Sequence, residues 1–178
     1  METERLVVRL REEDAYEAWL QGFVERLPSQ HKYDKGNIDM SECTKEWFST
    51  LVANYKKLVV EDKAYLFDIF RKEDGAHLGS IDFSTLARDY FQWARIGYTI
   101  HNQHWRQGYA KEAVEAALEL AFNELTFHRI EAHISFDNEA SIHLAKSVGM
   151  EFECIRKGFL LENEDWIDTL IYYINAPE

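Results

Sequence analysis

Gln103-His104-Trp105-Arg106-Gln107-Gly108-Tyr109-Ala110-Lys111-Glu112-Ala113 joins a strand-like run to a strongly helical one. Its centre, Arg106 to Ala110, is a short loop that opens straight into a helix. The first N–H groups of a helix lack partners within it, and the helix dipole places partial positive charge there. Gly108 and Ala110 are small enough to let an anion approach the backbone. The loop therefore reads as a cradle for a diphosphate.

Working outward, Phe91 to Ile100 before the loop alternates as a strand. It completes an antiparallel meander with Tyr65–Arg71 and Leu78–Leu86, which are joined by the turn signal Glu73-Asp74-Gly75. After the loop, Ala110, Ala113, Val114, Ala117, Leu118 and Ala121 mark one helical face, and so much alanine predicts close packing on a sheet. Arg129 to Phe136 alternates, with Ile130, Ala132, Ile134 and Phe136 on one side. Asn138 to Ser147 predicts a short helix stopped by Gly149. Glu151–Leu161 and Trp166–Ile174 predict a hairpin over the acidic turn Glu162-Asn163-Glu164-Asp165.

Upstream, Leu6–Leu10 predicts a first strand. Tyr16, Trp19, Leu20, Phe23 and Leu27 fall at helical spacing before Pro28. Asp39-x-x-Glu42 has the form of a capping box for a second helix burying Trp47, Phe48, Leu51, Val52, Tyr55, Leu58 and Val59. The order is β-α-α-β-β-β-α-β-α-β-β. This is an α+β fold, with a mixed, mostly antiparallel sheet of about seven strands flanked by about four helices. No linker, repeat or low-complexity segment interrupts it, so residues 1–178 read as one domain.

Composition narrows the function. The net charge of -12 speaks against nucleic acid as a partner and suits cationic ones, although an acidic surface also serves solubility. Two cysteines, Cys43 and Cys154, make no disulfide framework. No apolar run approaches a membrane span, and no secretory leader is read at the start. A cytoplasmic location is the expectation. There is no Gly-x-Ser-x-Gly elbow, no Walker A loop and no Gly-x-Gly-x-x-Gly fingerprint. His101-x-x-His104 lacks a carboxylate or cysteine companion, so no metal is expected.

Three motifs together resemble the GNAT superfamily of acyl-CoA-dependent N-acetyltransferases over nearly the whole chain. Within it the chain looks most like the RimJ/RimL-type group, which acetylates N-terminal amines of ribosomal proteins. The first motif is Arg95-Ile96-Gly97-Tyr98. The second is the loop with Gly108-Tyr109-Ala110 and Glu112-Ala113. The third is Asp137-Asn138-Glu139-Ala140-Ser141, followed by Lys146 and Gly149-Met150. Met150 stands where the family usually has Phe. Trp105 stands for the usual Gln or Arg, and Arg106 for a frequent Gly.

The resemblance implies acetyl-CoA as acyl donor, no metal, and a primary-amine acceptor such as a ribosomal-protein N-terminus. Homodimerisation is common in the group. The donor would be held by Tyr98, Ile100, Arg106, Gln107, Gly108, Tyr109, Ala110, Lys111, Asn138, Ser141 and Lys146. Ser141 would be the catalytic proton donor to the leaving thiolate. Asn138 reads equally as a helix N-cap, Ser141 as a capping or surface serine, and Arg106 and Lys111 as solvated surface.

An α-amine, with pKa near 7.7–8.0, is substantially neutral at cellular pH, whereas lysine at about 10.4 needs a base more. No base is evident. Leu160 stands where some relatives carry Glu, while Glu162 and Glu164 form an acidic turn that suits either solubility or a cationic amine. Two further readings stay open, a small-amine acetyltransferase and a non-catalytic acyl-CoA-binding protein. Residues Ser29 to Asp39 are expected to shape the acceptor pocket.

Overall fold

The computed structural model describes residues 1–162 and 164–177. Among them, seven strands form one sheet: β1 (Leu6–Leu10), β2 (Ala64–Arg71), β3 (His77–Ala87), β4 (Trp93–Ile100), β5 (Arg129–Ile134), β6 (Glu151–Glu162) and β7 (Asp165–Asn175). Their spatial order is β1-β2-β3-β4-β5-β7-β6. The helices are α1 (Tyr16–Val24), α2 (Lys45–Val60), α3 (Tyr109–Asn123) and α4 (Glu139–Ser147). All neighbouring strands run antiparallel except β4 and β5, which are parallel. A parallel pair needs a crossover, and α3 supplies it.

Register decides which residues share a face. Val8 lies opposite Ile69, Phe67 opposite Ile81, Phe83 opposite Ile96, Ala94 opposite Ile130 and Ala132 opposite Tyr172. These residues are buried together with Ala113, Val114, Ala117, Leu118 and Ala121 of α3. The alanine stripe lets α3 seat directly on β1 and β4. Each large side chain enclosed there contributes about 1.5–3 kcal/mol relative to exposure. On the opposite face, α1 packs on β3 and α2 on β2. Trp19, Phe48, Val52 and Phe70 form a second core under them.

Several expectations need correction. Helix α2 is not capped by the Asp39/Glu42 box. Thr44 is its N-cap, its hydroxyl accepting from the Trp47 N–H at 3.2 Å. Asp39 instead accepts from the Ser41 N–H two residues on, a local turn that precedes the helix. Helix α1 stops at Val24, short of Leu27, because the Leu27 N–H is drawn away to the Asn102 side chain. Leu27 and Trp47 are nearly half exposed. Strand β5 ends at Ile134, where its pairing with β7 ends, so Phe136 lies beyond it and is exposed. Strand β4 starts at Trp93, and Phe91 is exposed. Within the hairpin turn, Asn163 lies outside the described residues.

The feature that positions the site is in the middle of the sheet. Strands β4 and β5 pair only through Trp93–Arg129, Ala94–Ile130 and Arg95–Glu131. Beyond that point β4 stays with β3 as far as Ile100, and β5 stays with β7 as far as Ile134. The two strands therefore part, and a wedge opens through the sheet.

Candidate active site

Two helix N-termini flank the wedge. Gly108 is the N-cap of α3, with φ +81°, and no side chain caps this helix. That backbone conformation is natural to glycine and strained for other residues. Arg106 also has positive φ, +60°, which turns the loop tightly. Among the described residues, no hydrogen bond is formed by the N–H groups of residues 106–111; the first amide back in the ladder is Glu112, bonded to the Gly108 carbonyl at 3.2 Å. A row of free N–H donors at a helix start is what an anionic oxygen needs.

The loop is braced from the far end of the chain. Arg5 donates to the Gln107 carbonyl at 2.9 Å and to Glu112 at 2.7 Å, and its guanidinium lies 4.6 Å over the Tyr109 ring. The Thr3 hydroxyl donates to the same Glu112 carboxylate at 2.5 Å. Glu112 is thus a structural clamp. The Tyr109 ring is buried, so only its backbone serves the loop. Arg106, Gln107 and Lys111 are exposed, and Lys111 pairs weakly with Glu115 at 3.6 Å. Trp105, the departure from the family pattern, donates to the Ile100 carbonyl at 2.7 Å and stacks on His31 with centroids 5.2 Å apart.

At α4, Asn138 is the N-cap, its side-chain oxygen accepting from the Ser141 N–H at 3.2 Å. The Tyr98 hydroxyl reaches across from β4 and donates to the Ser141 carbonyl at 3.3 Å. Burial pushes the Tyr98 phenol pKa up, only partly offset by the bond to Ser141. Tyr98 and Ser141 thus meet at the wedge. Ile100 is buried at the end of β4. Lys146 is exposed in the last turn of α4, about 7 Å further along the axis than Ser141. The helix closes on Gly149, with the Gly149 N–H on the Lys146 carbonyl and the Met150 N–H on the Ala145 carbonyl.

Residues 29–39 lie across the same region. Buried Asp34 pairs with Arg26 at 2.8 Å and accepts from Asn102 at 2.9 Å, while Asn102 also exchanges hydrogen bonds with the Leu27 backbone. Burial would raise the Asp34 pKa, but hydrogen bonds from Gly36, Asn102, Gln30 and Arg26 outweigh it and hold it at about 2. Lys32 and Tyr33 both bond Asp137, just before α4. The segment therefore ties the loop side of the wedge to the α4 side. Behind it, His101 lies 3.0 Å from His77, which bonds Asp68, which pairs with Arg11. Burial, then the charges of His77 and Arg26, lower the His101 pKa to about 3, so this ring is a neutral structural element.

Of the residues singled out from the sequence, the structure brings Tyr98 and Ser141 together at the wedge and places Gly108 and Asn138 as the caps of α3 and α4. Arg5, Asp34 and Asn102, which tie these parts together, were not singled out. Only Asn102, next to the loop, carried a local signal.

A solvent-facing loop of free amides, a wedge between parallel strands and a tyrosine–serine meeting point suit a donor with a diphosphate and an extended arm. Comparison with known proteins gives the family. Residues 5–151 match the family described as Acetyltransferase (GNAT) domain. The chain is 29% identical over 177 residues to "Uncharacterized N-acetyltransferase YoaA" of Bacillus subtilis (strain 168), covering 99% of this chain and 97% of that one. It is 25% identical over 183 residues to the [ribosomal protein uS5]-alanine N-acetyltransferase of Escherichia coli (strain K12), covering 99% and 90%. Mycobacterium smegmatis RimJ in complex with CoA-disulfide shares the fold, with TM-score 0.78 and 20% identity over 96% of this chain and 82% of that one. No helix among the described residues is long and apolar enough to cross a membrane. The wedge, its two helix starts and the family match converge: the chain belongs to the GNAT family of acetyl-CoA-dependent N-acetyltransferases.

Proposed function

We propose that this N-acetyltransferase acetylates a protein N-terminal α-amine, with ribosomal proteins as the precedent, by direct attack while donor and acceptor are both bound. The observation that carries the donor half is the row of free N–H groups at residues 106–111 beside the open β4–β5 wedge. The residues fit a diphosphate: Arg106, Gln107, Gly108, Tyr109, Ala110 and Lys111 present the amides, and Gly108 leaves room for close approach. Tyr98, Ile100, Asn138 and Ser141 line the path of the arm, and Lys146 offers positive charge farther along α4. Acetyl-CoA supplies an activated acyl thioester. Unpaired β4 amides beyond Arg95 are available to the acyl oxygen. Ser141, in the first turn of α4, donates a proton to the departing sulfur.

The α-amine acceptor is supported by the relative of that activity, which aligns with 99% of this chain. An α-amine also needs less deprotonation than lysine. A small polyamine or aminoglycoside is the second reading, favoured by the net charge of -12.

A screen of N-terminal peptides against small amines, read as free thiol release, separates these. Peptides with a free α-amine should turn over faster than spermidine or an aminoglycoside; the reverse order gives the second reading. Acetyl-CoA should raise the melting temperature, and no rise at millimolar acetyl-CoA would sink the donor assignment.

A further inference from the structure

The sheet face opposite α3 and α4 carries a polar cluster that the donor site does not use. Glu131 and His133 lie on β5, two residues apart and so on the same face. Glu131 is the last β5 residue paired with β4, opposite Arg95. His133 is the next residue on that face, so it stands where the wedge has opened. Level with it on β4 is Gly97, which presents no side chain. A Cβ on Gly97 would lie 2.5 Å from Asp82 Oδ1, so the Asp82 carboxylate fills the place next to it from β3. His133 and Asp82 thus stand on the two banks of the gap, with Gly97 between them.

Glu131 is buried, yet it is ionised. Arg129 reaches it at 2.8 Å and Arg156 of β6 at 3.1 Å. Burial would raise its pKa, but hydrogen bonds from His133 and Arg129 and the charge of Arg156 hold it at about 2. A carboxylate so low is a poor base at neutral pH and a good orienter. It faces His133 Nε2 at 2.9 Å. An ionised carboxylate requires a donor there, so Nε2 carries a hydrogen, and in the neutral ring the lone pair is on Nδ1. Nδ1 has no hydrogen-bond partner among the described residues, and the side chain as a whole is 7% exposed. The Phe159 ring meets the imidazole edge-on at 5.3 Å and holds its plane. Facing this histidine are Glu131, Arg129 with its second partner Glu153, Arg156, and across the gap Asp82 and Arg95. Burial raises the Asp82 pKa, and Arg95 opposes this.

We propose that His133, oriented by Glu131, is the proton acceptor for the attacking amine, and that Asp82 holds that amine at the opposite bank of the wedge. This rests on the acetyl-transfer reading above and names the base that it lacks. The amine nitrogen forms a bond to the thioester carbonyl carbon, the carbon–sulfur bond breaks, and the thiolate leaves with its electron pair. The nitrogen's proton passes to His133 Nδ1 and then to solvent. The thiolate takes one proton, from Ser141 or from solvent, so amine plus acetyl-CoA gives amide plus CoA thiol. Glu131 is a positioning residue; His133 and Asp82 touch the acceptor.

The test is thiol release with the best peptide of the acceptor screen, measured from pH 6 to 9, alongside the acetyl-CoA thermal shift. His133→Gln should lower kcat by about 100-fold, as loss of a general base does. The acetyl-CoA shift should be unchanged, and the acid limb of the wild-type kcat/KM profile should vanish. Asp82→Asn should raise the acceptor KM more than it lowers kcat. His133→Ala supplied with free imidazole should recover part of the rate; that readout does not depend on the Gln variant folding well. Turnover within threefold of wild type in both His133 variants, with the acid limb kept, overturns the proposal while leaving acetyl transfer intact. If the wild-type protein binds acetyl-CoA but releases no thiol with any amine, the acetyl-transfer reading fails and this proposal falls with it.

Discussion

The N-termini of α3 and α4 stand beside the same wedge and are built in opposite ways. Helix α4 satisfies its own start, since Asn138 accepts the Ser141 N–H. Helix α3 has Gly108 at the cap, no side-chain acceptor and a run of free amides. An uncapped start costs about 1 kcal/mol compared with Ser, Thr, Asn or Asp, although much less when the residue is Gly. What α3 lacks locally it receives from Arg5 and Thr3, which brace the loop and Glu112 without covering the amides. The difference separates a helix start closed by its own side chain from one whose amides stay open.

That comparison can be broken most severely at Gly108. Gly108→Glu places a carboxylate among the free amides and forces a side chain onto positive φ, so it should abolish the melting-temperature rise produced by acetyl-CoA. A retained shift would mean that the donor binds elsewhere. The next effect tests whether the α3 side depends on long-range ties. Asp34→Asn leaves buried Arg26 without its charge partner and should cost about 3 kcal/mol, read from denaturant unfolding. Because the folded Asp34 pKa lies at about 2, below the ordinary aspartate value, its contribution is present above that ordinary value. It is lost as pH falls from about 4 towards 2. The wild-type protein should therefore lose stability over that window, and Asp34→Asn should show a shallower fall; an equal slope would remove Asp34 as a source.

Ser141→Ala should lower turnover about tenfold, or 1.4 kcal/mol in the barrier, with acetyl-CoA affinity nearly unchanged. If the rate survives while Tyr98→Phe loses it, the proton donor is the tyrosine that meets Ser141 at the wedge. The smallest effect belongs to α4. Asn138→Ala should cost about 1 kcal/mol, a fall of a few degrees in Tm, and reduce the acetyl-CoA shift only in part, since Asn138 is one of several residues along the arm. An unchanged shift would leave Asn138 the cap role alone.

How far the chain could be read without coordinates depended on the range of each interaction. The loop, the alanine stripe of α3 and the Asn138 cap are local patterns, and the structure has them where the periodicity places them. The second helix shows the limit of this reasoning. Asp39 and Glu42 have the spacing of a capping box, but so does Thr44 with its amide partner at Trp47, and only packing chooses between them. Strand β5 shows another limit. Its apolar residues were legible, but Glu131 and His133 read as the solvent side of an alternating strand. They are enclosed because Arg129, Arg156 and Phe159 converge on them from β5 and β6.

The sequence alone determined the family, the order of elements, the tight loop before α3 and the residues at the start of α4, because each depends on neighbours within a few positions. Tertiary structure alone decided where β4 and β5 part, which N–H groups stay free, and what braces them. Arg5 lies about a hundred residues from Gln107, and His133 meets the wedge only through strand register. Such relations arise from sheet pairing and from charges brought together on folding, and no local pattern records them.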